Sequence, residues 1–107
     1  MSAFLKRELA MSYEILLTRT ADKSQKKLDK PLRVQVRDSL LEIAEDPENL
    51  GEKLCTPLTD VYSHHIKYKG KEFRIAYTID EADMVVIVHL IAAHENFYRK
   101  LRQVLNR

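Results

Sequence analysis

The chain has 107 residues, 45% of them apolar, with only two Gly and three Pro, a composition that suits one compact domain and argues against global disorder. Eighteen Lys/Arg against sixteen Asp/Glu leave a net charge of +2, and a second domain does not fit in this length. The longest apolar run, Met84 to Ala93, is broken by His89 and is roughly half the twenty residues a helix needs to cross a bilayer, so neither a transmembrane helix nor a membrane partner is expected.

Residues 1–11 carry their own apolar and basic pattern and read as an N-terminal extension within a single domain spanning 1–107, with Met11 as an alternative start. Lys6, Arg7 and Glu8 stand where a signal peptide requires uninterrupted apolar residues, which points to a cytoplasmic protein. Tyr13 to Leu17 reads as a short buried strand. Thr20 is placed to cap a helix running to about Asp29, with Ala21, Ser24 and Leu28 along a narrow inner face. Pro31 suits the first turn of a second helix, whose stripe of Leu32, Val36, Leu40, Ile43 and Ala44 ends before Pro47. The two helices form a hairpin, and Asp46 to Pro57 reads as a connecting loop.

From Val61 the period changes to two. Tyr62, His64 and Ile66 share one side of a strand while Ser63, His65 and Lys67 share the other, and Lys69-Gly70-Lys71 supplies a turn. In the next strand Phe73, Ile75, Tyr77 and Ile79 point one way and Glu72, Arg74, Ala76 and Thr78 the other. The β-branched run from Met84 to Ile91 reads as a central strand buried on both faces. Beyond Ala93 the spacing turns helical, with Phe97, Leu101, Val104 and Leu105 facing inward and Arg99, Lys100 and Arg102 outward. The order β-α-α-β-β-β-α predicts an α+β fold: an antiparallel sheet with a helical hairpin on one face and a C-terminal helix.

Charge falls in blocks along this order. Residues 1–37 carry nine basic side chains against four acidic, 38–60 one against seven, and 61–107 eight against five. A polyanion is attracted to the flanking blocks, if the fold gathers them, and repelled by the middle one. Solvated helix faces account for the same pattern without any partner.

The outer face of the meander presents Ser63, His65, Lys67, Glu72, Arg74 and Thr78 to solvent or ligand. His94 and Tyr98, four apart at the start of the last helix, are expected one above the other. Cleaving RNA through its own 2′-hydroxyl takes a base for that proton, a cation for the crowded phosphorane and an acid for the departing 5′ oxygen. His65, Arg74 and His94 are residue types that fill those roles. Each also has a plainer explanation. A strand histidine is more often structural, an exposed strand arginine often pairs with a carboxylate such as Glu72, His94 caps a helix or fills a loop pocket, and Tyr98 serves as half-buried packing. His64, on the side opposite His65, is expected beneath the hairpin or at an edge, and His89 as a satisfied core histidine.

Other chemistries lack their residues. His94-Glu95 has Tyr98 where a zinc motif needs its second histidine, and no Cys/His cluster has metal-ligand spacing, so no metal is expected. Gly51 and Gly70 are the only glycines, which leaves no phosphate loop for a nucleotide cofactor. Cys55, alone, forms no internal disulfide and reads as small-residue packing.

Three stretches resemble the RelE/ParE toxin superfamily of bacterial type II toxin–antitoxin systems: Gly51-Glu52-Lys53-Leu54 followed by Leu58; Tyr62-Ser63-His64-His65-Ile66 with Phe73-Arg74-Ile75-Ala76-Tyr77; and Ile91-Ala92-Ala93-His94-Glu95-Asn96-Phe97-Tyr98-Arg99-Lys100-Leu101. The resemblance covers about Tyr13 to Leu105 and is closer to the histidine-using YafQ-like ribonuclease branch. It implies a metal- and cofactor-independent endoribonuclease that cleaves mRNA, in many members on the ribosome, and a cognate antitoxin that wraps the toxin and blocks its site. Carried over by position, His65 matches a catalytic strand histidine, Arg74 the arginine used at the phosphate, and His94 with Tyr98 a C-terminal basic and aromatic pair. Lys67, Lys69 and Lys71 fall near RNA-binding lysines, and Arg99 on the last helix joins them as an expected RNA contact. The ParE branch, which shares the fold and poisons DNA gyrase, and an inactive antitoxin-binding homologue are the alternative implications.

Overall fold

The alternation that begins at Tyr62 builds three antiparallel strands, and the remaining elements cover them on both faces. The computed structural model describes residues 12–54 and 60–106. Its elements are β1 (Glu14–Leu17), α1 (Arg19–Lys26), α2 (Lys30–Glu45), α3 (Pro47–Leu50), β2 (Glu52–Lys53), β3 (Tyr62–Tyr68), β4 (Lys71–Asp80), β5 (Val85–Ala93) and α4 (Phe97–Leu105). The expected α+β class holds. The expectations for residues 1–11, for Cys55 and for Leu58 lie outside the described residues.

The five strands form one sheet in the order β1-β5-β4-β3-β2. β4 therefore occupies the centre, and β5, expected there, lies between it and β1. All pairs are antiparallel except β1 with β5, which runs parallel with Glu14 beside Val85 and Leu17 beside Val88. The β3–β4 hairpin closes through Lys69 and Gly70, whose φ values of 51° and 78° are the left-handed pair that a two-residue turn requires. Its register sets Tyr62 opposite Tyr77, His65 opposite Arg74 and Lys67 opposite Glu72.

On one face, Ala21 of α1 and Leu32, Val36 and Ile43 of α2 pack against Ile66, Ile75, Tyr77 and Val88. The predicted inward set of β4 is the set that faces this hairpin. On the other face, Phe97 and Leu101 of α4, both fully buried, close over Val61, Ala76 and Leu90. Burying two such side chains contributes about 1.5–3 kcal/mol each and fixes α4 on the sheet. That second core corrects the expectation of an open polar face, because Ser63 and Arg74 are only 1% and 9% exposed.

Three local expectations are also corrected. The helix cap is Thr18 rather than Thr20: the chain stays extended at Thr18, whose Oγ1 accepts from the Ala21 N–H at 3.1 Å. α1 stops at Lys26 because Asp29 becomes the N-cap residue of α2, with Pro31 in the first turn as predicted. The segment read as a loop from Asp46 holds the short helix α3 and strand β2. A side-chain contact fixes this segment: the Tyr77 hydroxyl donates to the Pro47 carbonyl at 2.6 Å, and Tyr62 stacks on the Tyr77 ring with centroids 5.5 Å apart.

Gly51 sits directly against the Tyr77 hydroxyl, so any Cβ there collides with it. Gly51→Ala is expected to destabilise the fold by about 1–3 kcal/mol through overpacking. In urea denaturation this appears as a lower midpoint with an unchanged slope.

Candidate active site

Strand alternation puts residues 63, 65 and 67 of β3 and 72, 74, 76 and 78 of β4 on the face that α4 partly covers. Where α4 begins, this face is no longer apolar. The Arg74 guanidinium lies under the helix start, donates from Nη1 to the Tyr98 hydroxyl, and packs 5.3 Å from the centroid of that ring. Its Nε donates to Glu72 Oε2 at 3.2 Å, and Nη2 lies 3.2 Å from the same oxygen. A buried cation without such partners costs several kcal/mol, so Glu72 and Tyr98 are what allow Arg74 to sit there.

His65 meets the same carboxylate. Its Nδ1 is 2.9 Å from Glu72 Oε2, while Nε2 is 3.7 Å from Glu52 Oε1 on β2. One oxygen of Glu72 thus joins the histidine and the arginine that the sequence singled out. The plain reading of Arg74 as the partner of Glu72 is correct as to the pairing and wrong as to exposure.

His94 is not on the helix. Asn96 adopts a left-handed conformation (φ 61°) as the N-cap residue, so α4 starts at Phe97 and the expected stacking of His94 on Tyr98 within one helix is absent. His94 instead sits in the turn after β5, its backbone N–H donating to the Glu72 carbonyl at 2.8 Å and its carbonyl accepting from Phe97. Among the described residues no side-chain hydrogen bond or ion pair holds its exposed ring. The turn nevertheless places it beside the strand that carries Glu72 and Arg74.

The predicted basic contacts divide. Lys67 is exposed and shares the His65 face, opposite Glu72 in register. Lys71 alternates to the hairpin side with Phe73, and Lys69, in the turn, sits 5.3 Å from the ring centroid of Tyr68. Arg99 is exposed on α4. The basic stretch of α2, including Lys30, Arg33 and Arg37, lies across the sheet from Arg74, so this described part of the first basic block is not on the Arg74 surface.

The other two histidines hydrogen-bond within the fold. His64 Nδ1 donates to the Leu50 carbonyl at 3.1 Å, tying β3 to the end of α3. His89 is the extra residue of a β-bulge: Tyr77 pairs with Val88 and Ala76 with Leu90, leaving His89 between them. Its Nε2 is 2.9 Å from Thr78 Oγ1. Sequence reasoning placed Glu72 on this face but gave it no functional role. The available signal was its i, i+2 relation to Arg74 combined with a position diagonal to His65 across the hairpin.

Residues 15–102 match the family of ParE-like toxins of type II bacterial toxin–antitoxin systems. The chain belongs to that family. No curated protein matches it by sequence. Among solved structures, a chain of the intact Escherichia coli RelBE toxin–antitoxin complex is 25% identical, with 76% of this chain covering 95% of that one at a TM-score of 0.64. A double arginine-to-alanine mutant of E. coli RelE in the free state is 22% identical, with 88% of this chain covering 94% of that one at 0.69. A chain of a RelBE toxin–antitoxin complex from Mycobacterium tuberculosis is 21% identical, with 78% covering 93% at 0.68. The toxin is thus of the RelE/ParE type in both family and fold. None of its described helices is long and apolar enough to cross a membrane.

Burial holds the His89 imidazole below its ordinary pKa of 6.5, so the folded toxin binds fewer protons there than the unfolded chain. The stability this contributes is present above the unfolded value of 6.5 and is lost progressively as the pH falls from there through the lower folded value. His89→Gln is expected to lose less stability than wild type between about pH 7 and pH 5, measured by thermal melts across that range.

Proposed function

We propose that the protein is an mRNA-cleaving toxin domain, acting in the cytoplasm through phosphodiester chemistry at the buried Arg74 cation and neutralised by a cognate antitoxin. The observation that carries this reading is the convergence of His65 and Arg74 on one Glu72 oxygen, with Tyr98 on the far side of the guanidinium. In the reaction, one of His65 and His94 takes the proton of the RNA 2′-hydroxyl and the 2′ oxygen bonds to phosphorus. The bond from phosphorus to the 5′ oxygen breaks, and the other histidine, protonated, gives its proton to that oxygen. The products are a 2′,3′-cyclic phosphate and a 5′-hydroxyl end. Arg74 stabilises the charge that develops on the phosphorane, for which a guanidinium with five N–H donors has capacity beyond its bonds to Glu72 and Tyr98. Lys67, exposed on the His65 face, and Arg99, exposed on α4 next to Tyr98, serve as RNA contacts in this reading, with Lys69 and Lys71 at the hairpin tip. The RelBE complexes among the structural relatives support an antitoxin partner, and the superfamily resemblance supports mRNA on the ribosome as the target.

The ParE-like family match favours a second reading, inhibition of DNA gyrase. Inducing the toxin without antitoxin and mapping new mRNA 5′ ends separates the two. Cleavage is expected in wild type and is expected to vanish in His65→Ala/His94→Ala and in Arg74→Ala, with circular dichroism showing that the variants fold. Growth arrest with intact mRNA rejects the ribonuclease reading in favour of gyrase, and cleavage retained in Arg74→Ala rejects the role given to Arg74.

A further inference from the structure

We propose that Glu72 is the positioning residue of this site, fixing His65 with its proton on Nδ1 so that Nε2 is the atom that takes the 2′-hydroxyl proton. The inference rests on the ribonuclease reading for its chemistry but on geometry for the assignment. A carboxylate only accepts, so the 2.9 Å contact between Glu72 Oε2 and His65 Nδ1 places the proton of the neutral ring on Nδ1 and the lone pair on Nε2. Glu52 faces Nε2 and would favour the opposite form. It is 3.7 Å away, beyond hydrogen-bond distance, and its side chain is 73% exposed against 29% for Glu72, so water screens it and Glu72 decides the ring.

Glu72 is itself held at two points, side chain and backbone, which is what makes it a usable reference point. Its carboxylate is pinned by Arg74, and its backbone carbonyl takes the N–H of His94. Lys67 lies opposite it in the strand register. Through this one residue the base is oriented, the cation is fixed, and the turn carrying the second histidine is tethered. His65 then serves as base, leaving His94 on its exposed turn as the acid for the 5′ oxygen.

The test reads the His65 ring directly. In ring-nitrogen NMR spectra recorded above the imidazole titration range, wild type is expected to carry the His65 proton on Nδ1, and Glu72→Gln, which keeps an acceptor, to retain that form. Glu72→Ala is expected to return His65 to the Nε2-protonated form that free imidazole side chains favour. A wild-type ring protonated on Nε2, or an unchanged ring in Glu72→Ala, overturns the assignment. In single-turnover RNA cleavage, Glu72→Ala is expected to lower kcat about 10- to 100-fold with KM changed less than about twofold, and Glu72→Gln to recover part of the loss. A loss confined to KM would make Glu72 an RNA-binding residue and overturn the positioning role. A wild type that shows the Nδ1 form yet cleaves no RNA supports the hold of Glu72 on His65 and rejects the ribonuclease reading instead.

Discussion

The arrangement depends on how a guanidinium is kept charged beneath a helix. Arg74 is nine-tenths buried on the central strand, and desolvation on that scale is tolerated only with close hydrogen-bonding partners. Glu72 supplies the countercharge from two residues away on the same strand, and Tyr98 supplies an acceptor from α4. Each partner brings a part of the structure with it. Glu72 draws in His65 across the hairpin, and Tyr98 fixes where the first turn of α4 rests.

The two faces of the sheet divide the work. The hairpin of α1 and α2 covers one face with aliphatic side chains, and the buried polar group that β4 brings to it is the Tyr77 hydroxyl, which donates to the Pro47 carbonyl. The α4 face is apolar only at Val61, Ala76, Leu90, Phe97 and Leu101, and it becomes polar toward the hairpin end of β3 and β4. An amphipathic helix crossing such a face both builds a core and borders a charged cluster, and its N-terminal turn is where the change occurs.

Much of this was legible in the sequence because period-two alternation fixes the face of every strand residue. His65 and Arg74 were assigned to one surface, Phe73, Ile75 and Tyr77 to the other, and both assignments hold. What escaped detection depended on backbone turns or tertiary contacts. The helical spacing of His94 and Tyr98 continues straight through Asn96, whose left-handed conformation leaves no trace in hydrophobic periodicity. The burial of Arg74 arises only when α4 folds back over the sheet. α3 and β2 are too short to show a period, and β2 is defined by its pairing with β3, with Glu52 opposite Ser63. The parallel pairing of β1 with β5 joins strands from opposite ends of the chain, a partnership that local pattern does not specify.

That last pairing governs the order in which the molecule can assemble. The β3–β4 hairpin is local, so His65, Glu72 and Arg74 can meet as soon as that short stretch is available. Among the described residues β1 pairs with β5, some seventy residues later in the chain, and Tyr98 follows later still. During synthesis from the N-terminus, the early strand and the α1–α2 hairpin wait with their apolar faces uncovered. The sheet closes only after β5 has emerged, and Arg74 acquires its helix cover only after α4 has followed, so a nascent chain that stops short of Tyr98 carries His65, Glu72 and Arg74 without the helix that covers them.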